Sequence, residues 1–181
     1  MKPTLLIIPG LGDSGPAHWQ SYWLQEFDNA VKLVQDDWEE PLLTDWLQRL
    51  HETIVSLNRP TVLVAHSLAV SLVAHWADNH QHPMVKAALL VCPADVDSPA
   101  HTPDVVRNFA PMPTTRLPFP SVVVASENDT YVSLERASYF AECWGSQLVN
   151  VGAKGHVNAS SQLEYWQEGQ AILEHLLQQI P

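Results

Sequence analysis

Three residue types that together perform acyl transfer stand far apart in this chain, in the order Ser67, Asp129, His156. A serine hydroxyl is a weak nucleophile and needs a base to take its proton. The base in turn needs an acid to fix its tautomer and stabilise its cation. Ser67 lies in residues 61–77, TVLVAHSLAVSLVAHWA, where the apolar β-favouring run Val62, Leu63, Val64 turns at Ala65-His66-Ser67-Leu68-Ala69 into the spacing of a buried helix. A strand that enters a helix through small-x-Ser-x-small makes a turn so tight that the serine backbone is strained and its hydroxyl projects above the sheet. Ala65 and Ala69 stand where glycine is usual. A serine here could instead simply cap the helix, but the acid and the histidine downstream favour the nucleophile.

His156 follows Gly155, which permits a turn that aims the imidazole toward the sheet end. Asn128-Asp129 forms a sharp turn after one predicted strand, and Asp95, after the preceding strand, is the competing acid. Asp129 is preferred because the order serine, acid, histidine more often places the acid on the later strand. A tetrahedral intermediate also needs preorganised donors for its oxyanion. The backbone N–H of Leu68, next to the nucleophile, is one, and Leu11 in Pro9-Gly10-Leu11-Gly12 is the candidate for the second. That loop matches neither G-x-G-x-x-G nor the Walker spacing. His66 adjoins Ser67 in sequence, but neighbours in an elbow point apart, so it is not the base. Nine histidines raise the question of a metal, above all His75, His80 and His82, yet no cysteine or carboxylate completes a ligand spacing, and no metal or cofactor is expected.

The elements that must position these residues alternate. Strands are expected at residues 4–8, 31–35, 61–64, 86–92, 121–125 and 147–151. Helices are expected at 17–27, 42–57, 68–78, 132–144 and 161–179, where apolar residues recur at helical spacing. Alternation of this kind implies right-handed βαβ units. The expected fold is a single-domain α/β-hydrolase fold over residues 1–181, with a six-stranded mostly parallel sheet and helices on both faces. Residues 93–120 hold seven prolines and no strong periodicity, an excursion too short for a full lid domain.

The chain has 181 residues with nine Lys and Arg against twenty Asp and Glu, a net charge of -11 that opposes binding to nucleic acid or anionic membrane. Residues 4–8 are too short and too soon interrupted by Pro9-Gly10 for a signal segment, so a cytoplasmic location is expected, with Cys92 and Cys143 as unpaired packing residues.

Four stretches carry a resemblance to a known family: IIPGLGDSGPAHWQSYW at 7–23, VAHSLA at 64–69, ASENDTYV at 125–132 and GHVN at 155–158. The whole chain resembles the small serine hydrolases grouped with the YdeN protein and the retinoblastoma-binding serine hydrolase. The resemblance implies a compact α/β hydrolase whose triad falls on Ser67, Asp129 and His156. It also marks His18 and Trp19 as part of the first-loop signature, with an expected place in the substrate pocket. The Leu-x-Cys-x-Glu motif of the vertebrate relative has no counterpart, because Leu90-Val91-Cys92-Pro93-Ala94 ends in alanine. The expected activity is hydrolysis of small or accessible esters, with amides and thioesters as further substrates. The alternative is an interaction protein on a hydrolase fold with a vestigial triad.

Overall fold

The computed structural model describes residues 2–180. Six strands, β1 (Thr4–Ile8), β2 (Ala30–Lys32), β3 (Thr61–His66), β4 (Val85–Val91), β5 (Ser121–Ala125) and β6 (Gln147–Asn150), form one sheet in the order β2-β1-β3-β4-β5-β6. Every neighbouring pair is parallel, so the sheet exceeds the expected "mostly parallel". Parallel neighbours cannot be joined by hairpins. Helices α1 (Trp19–Glu26), α2 (Leu43–Leu57), α3 (Leu68–Asn79) and α4 (Leu134–Trp144) occupy four of the five connections, and α5 (Gln167–Leu177) follows β6.

Side chains alternate across the sheet and divide the core in two. Leu6, Ile8, Leu63, Ala65, Ala88 and Leu90 face α2, α3 and α4, whereas Leu5, Ile7, Val62, Val64, Ala87 and Leu89 face α1 and α5. On α2 the buried residues are Trp46, Leu50 and Ile54, one per turn, and Asn58 ends the helix in the left-handed conformation. α3 runs behind the middle of the sheet and buries residues on all sides, as its nearly continuous apolar sequence requires. Residues between β4 and β5 contain a 3-10 helix at Asp104–Phe109 and otherwise irregular backbone, as the prolines suggest.

Two expected elements differ. β2 spans Ala30–Lys32 rather than 31–35, although Leu33 N–H still donates to Ile7 O at 2.8 Å. The last helix starts at Gln167, not near 161, because Gln162, Glu164 and Trp166 all have positive φ, at 53°, 50° and 43°. Those left-handed turns drop the Trp166 ring into the core against Trp19 and Trp23, at centroid distances of 4.9 and 6.0 Å. Burying an indole outweighs helical continuity there. Because all strands run the same way, the loops after β1, β3, β5 and β6 emerge on one edge, beside the point where the strand order reverses between β1 and β3.

Candidate active site

Ser67 ends β3 and opens α3, with φ 60° and ψ −121°, a conformation that only a heavily constrained turn imposes on serine. The constraint is visible in its neighbours. Ala65 and Ala69 are fully buried where strand and helix meet, and Ser67 N–H donates to Val91 O at 2.9 Å. The loop after β1 presses on the same turn. A Cβ added to Gly10 would lie 2.9 Å from His66 O, 3.1 Å from Ser67 Cβ and 3.2 Å from Leu68 N. Glycine is the residue that lets this loop reach the elbow, against the Leu68 N–H.

His156 Nε2 lies 2.7 Å from Ser67 Oγ, and its Nδ1 lies 2.9 Å from each carboxylate oxygen of Asp129. A carboxylate can only accept, so Nδ1 carries the proton and Nε2 is left bare to accept from the serine hydroxyl. Asp129 is further held by Tyr131 N–H, which donates to Oδ1 at 2.8 Å. Asp95, the competing acid, is spent elsewhere: Arg136 Nε donates to its Oδ2 at 3.1 Å, and Arg136 Nη2 donates to Asp97 at 2.7 Å.

Backbone contacts lock the loops that carry acid and base together. Gly155 N–H donates to Asn128 Oδ1 at 2.7 Å, Lys154 N–H to Ser126 Oγ at 2.9 Å and Glu127 N–H to Gly152 O at 3.0 Å. Trp19 is fully buried and donates its indole N–H to Val157 O at 2.8 Å. This corrects the expectation that Trp19 lines the pocket, because its place is behind the histidine loop. Gln20 does the same for the first loop. Its Nε2 donates to Ile8 O and Val64 O at 3.1 and 3.2 Å, and its Oε1 accepts from Ser14 Oγ at 2.5 Å. Gln20 follows the His-Trp pair in the signature, but no sequence rule gives it a role.

Two further imidazoles stand behind His156. His66 Nε2 donates to His156 O at 2.8 Å, and its ring lies 4.8 Å from that of His156 and 4.7 Å from that of His18. His18 caps α1 by accepting Gln20 N–H on Nδ1 at 3.1 Å, which puts its proton on Nε2. Burial pushes the pKa of His18 down to about 4, helped by the charge of His156 and opposed by Asp13. Burial, with His18 and His156 adding to it, takes His66 well below the usual histidine value. Cys92, at φ 50° just past β4, places its thiol within 4.8 Å of the ligand atoms of Asp129 and His156. Burial, and then the Asp129 carboxylate, push that thiol well up, so it stays protonated. These three are the grouping of potential metal ligands among the described residues. His75 and His82 are occupied apart from it, His75 Nε2 on Phe109 O and His82 Nδ1 on Met84 N–H.

A cavity of about 240 Å³ opens over Ser67, bounded by Gly10, Leu11, His18, His66 and Tyr131. Among the described residues no helix is long and apolar enough to cross a membrane.

This architecture recurs in solved structures. A YdeN-like hydrolase from Pectobacterium atrosepticum is 29% identical, with a TM-score of 0.86 over 99% of this chain and 94% of its own. The ydeN gene product of Bacillus subtilis is 20% identical, with a TM-score of 0.81 over 98% and 100% of the two chains. A thermophilic esterase from Thermogutta terrifontis shares the fold at 14% identity, with a TM-score of 0.72 over 98% and 90%. The fold is that of the α/β hydrolases. No curated protein matches the chain. The family model described as serine hydrolase matches residues 5–175, a span that holds the elbow, the Asp129 turn and the His156 loop alike. The chain therefore belongs to the serine hydrolase family.

Proposed function

We propose that this protein is an esterase that cleaves small or accessible acyl esters through an acyl-serine intermediate. Ser67 Oγ attacks the carbonyl carbon while His156 Nε2 takes its proton. Asp129 holds the Nδ1–H and stabilises the imidazolium. Leu68 N–H and Leu11 N–H receive the oxyanion, and His156 then returns the proton to the leaving oxygen. Water repeats the sequence on the acyl-serine and releases the acid. Amides and thioesters with accessible carbonyls can follow the same path.

The observation that carries this reading is the continuous bond path from Asp129 through His156 to Ser67, at 2.9 and 2.7 Å, on a serine with φ 60°. A binding protein with a vestigial triad has no use for a strained serine bonded to a correctly tautomerised histidine. A fluorophosphonate probe separates the two readings. Wild-type protein is labelled and Ser67→Ala is not. Absence of labelling in folded wild-type protein overturns the enzyme reading.

A further inference from the structure

We infer that the site is divided, with a tight subsite for the acyl group and a wider polar subsite for the leaving alcohol, partitioned at Tyr131. The substrate class is then a short-chain acyl ester of a polar, polyhydroxylated alcohol. The inference rests on the esterase reading above.

The cavity over Ser67, at about 240 Å³, contains the nucleophile and the Gly10-Leu11 loop, so the reacting carbonyl must sit there. That volume falls below the roughly 300–1,000 Å³ of pockets that hold drug-sized ligands. It is walled by the buried His18 and His66 rings, whose neighbours are fixed. A short acyl group fills that volume, and a long one must leave it. A second cavity, of about 440 Å³, adjoins it and does not include Ser67. Its own lining comes from Thr130, Ala153, Lys154, Gly155, Ser161 and Leu163, with two hydroxyls and one ammonium, of which Lys154 Nζ pairs with Glu168 at 3.3 Å and Ser161 Oγ donates to Lys154 O at 2.7 Å.

Tyr131, His156, Asn158 and Ser160 border both cavities. The chemistry decides which side takes which half of the ester. His156 must hand its proton to the leaving oxygen, so the alcohol extends along His156. The wider cavity is the one built around the His156 loop. Tyr131 stands with its ring centroid 4.3 Å from that of His156. Its backbone is pinned on both sides, by N–H to Asp129 Oδ1 at 2.8 Å and by its carbonyl, which accepts Asp95 N–H at 3.0 Å. The partition is therefore held by the same carboxylate that orients the base.

The test measures kcat/KM by pH-stat on acetyl and octanoyl esters of glucose and of ethanol. Acetyl esters should exceed octanoyl esters of the same alcohol by about tenfold or more, and acetylglucose should exceed ethyl acetate by a similar factor, within the discrimination that pocket fit supplies. Tyr131→Ala should shrink the acyl-length ratio at least about threefold, while Tyr131→Phe, which keeps the wall, holds the wild-type ratio. Ala153→Phe narrows the wider cavity and should slow acetylglucose at least about threefold more than ethyl acetate, whose small alcohol fills less of it. Octanoyl esters turned over as fast as acetyl esters, an alcohol without influence, an unchanged acyl-length ratio in Tyr131→Ala, or Ala153→Phe slowing both acetyl esters alike would each overturn the division. Any of these in protein that the fluorophosphonate still labels leaves the nucleophile standing and removes only the subsites.

Discussion

Acidification should unfold this protein through its buried histidines before most carboxylates titrate. His18 is 4% exposed and its pKa falls from 6.5 to about 4, with burial as the largest cause. The unfolded chain binds a proton at His18 near the ordinary value, about 6.5, and the folded chain only near 4. Stability from this site is therefore complete above pH 6.5 and declines as pH falls toward 4. At about 1.4 kcal/mol per pKa unit, the loss from His18 alone is roughly 3 kcal/mol, a large share of the about 5–15 kcal/mol that holds a typical domain folded. His66 shifts in the same direction for the same reason and steepens the decline.

The informative comparison is His18→Asn, because asparagine is a good N-cap and can accept Gln20 N–H in place of Nδ1 while carrying no proton in this range. Urea unfolding of both proteins at pH 7.5, 6.5, 5.5 and 4.5 gives stability against pH. The wild-type curve should fall more steeply between 6.5 and 4.5, by up to about 1.4 kcal/mol per pH unit. Removing His18 also relieves His66 of one repelling charge, which flattens the variant further. Parallel curves for the two proteins would refute the burial argument.

Asp129→Asn should lower kcat by about 10⁴, the scale seen when a triad acid can no longer fix the tautomer, whereas Asp95→Asn should lower Tm by freeing Arg136 and leave kcat near wild type. Turnover lost only in the Asp95 variant reverses the assignment. Gly10→Ala should cost about 10²-fold or more in kcat, because its Cβ meets His66 O at 2.9 Å and pushes the Leu11 N–H out of place; an unchanged kcat removes that loop from the oxyanion site. Trp19→Phe leaves the buried Val157 carbonyl without its donor and should destabilise by about 1–3 kcal/mol in chemical denaturation, with kcat reduced in the surviving fold.

The readable parts of this fold are those written locally. The elbow is legible because strand, turn and helix follow one another within residues 61–77, and the placing of Asp129 and His156 at the same sheet edge because each lies in a turn after an apolar strand. What escaped depends on contacts through space. Trp19 bonds a carbonyl 138 residues away, and no local pattern distinguishes that from a pocket-lining indole. Gln20, for which helical spacing gives no role, is fully buried between the ends of β1 and β3. Residues 161–166 carry helical apolar spacing, and only the three tryptophan rings meeting in the core explain why the backbone turns left-handed instead. Cys92 is buried, as a packing residue should be, but its neighbours are the Asp129 carboxylate and the His156 ring.

The two neutral histidines also bear on catalysis. In the proposed mechanism each turnover places a positive charge on His156, whose ring is 4.8 Å from that of His66, with His18 next in line. Were His66 protonated, repulsion at that distance would oppose the imidazolium by on the order of 3 kcal/mol at an effective dielectric of about 20, enough to cost a factor of roughly 10² in rate. Burial forbids that charge. The same desolvation that makes the fold sensitive to acid keeps the His66 and His18 rings behind His156 uncharged and leaves Asp129 as the charge it pairs with. A site that stacks histidines against its base can work only if the outer ones cannot titrate at working pH, and here their depth beneath the Ser67 cavity supplies that condition.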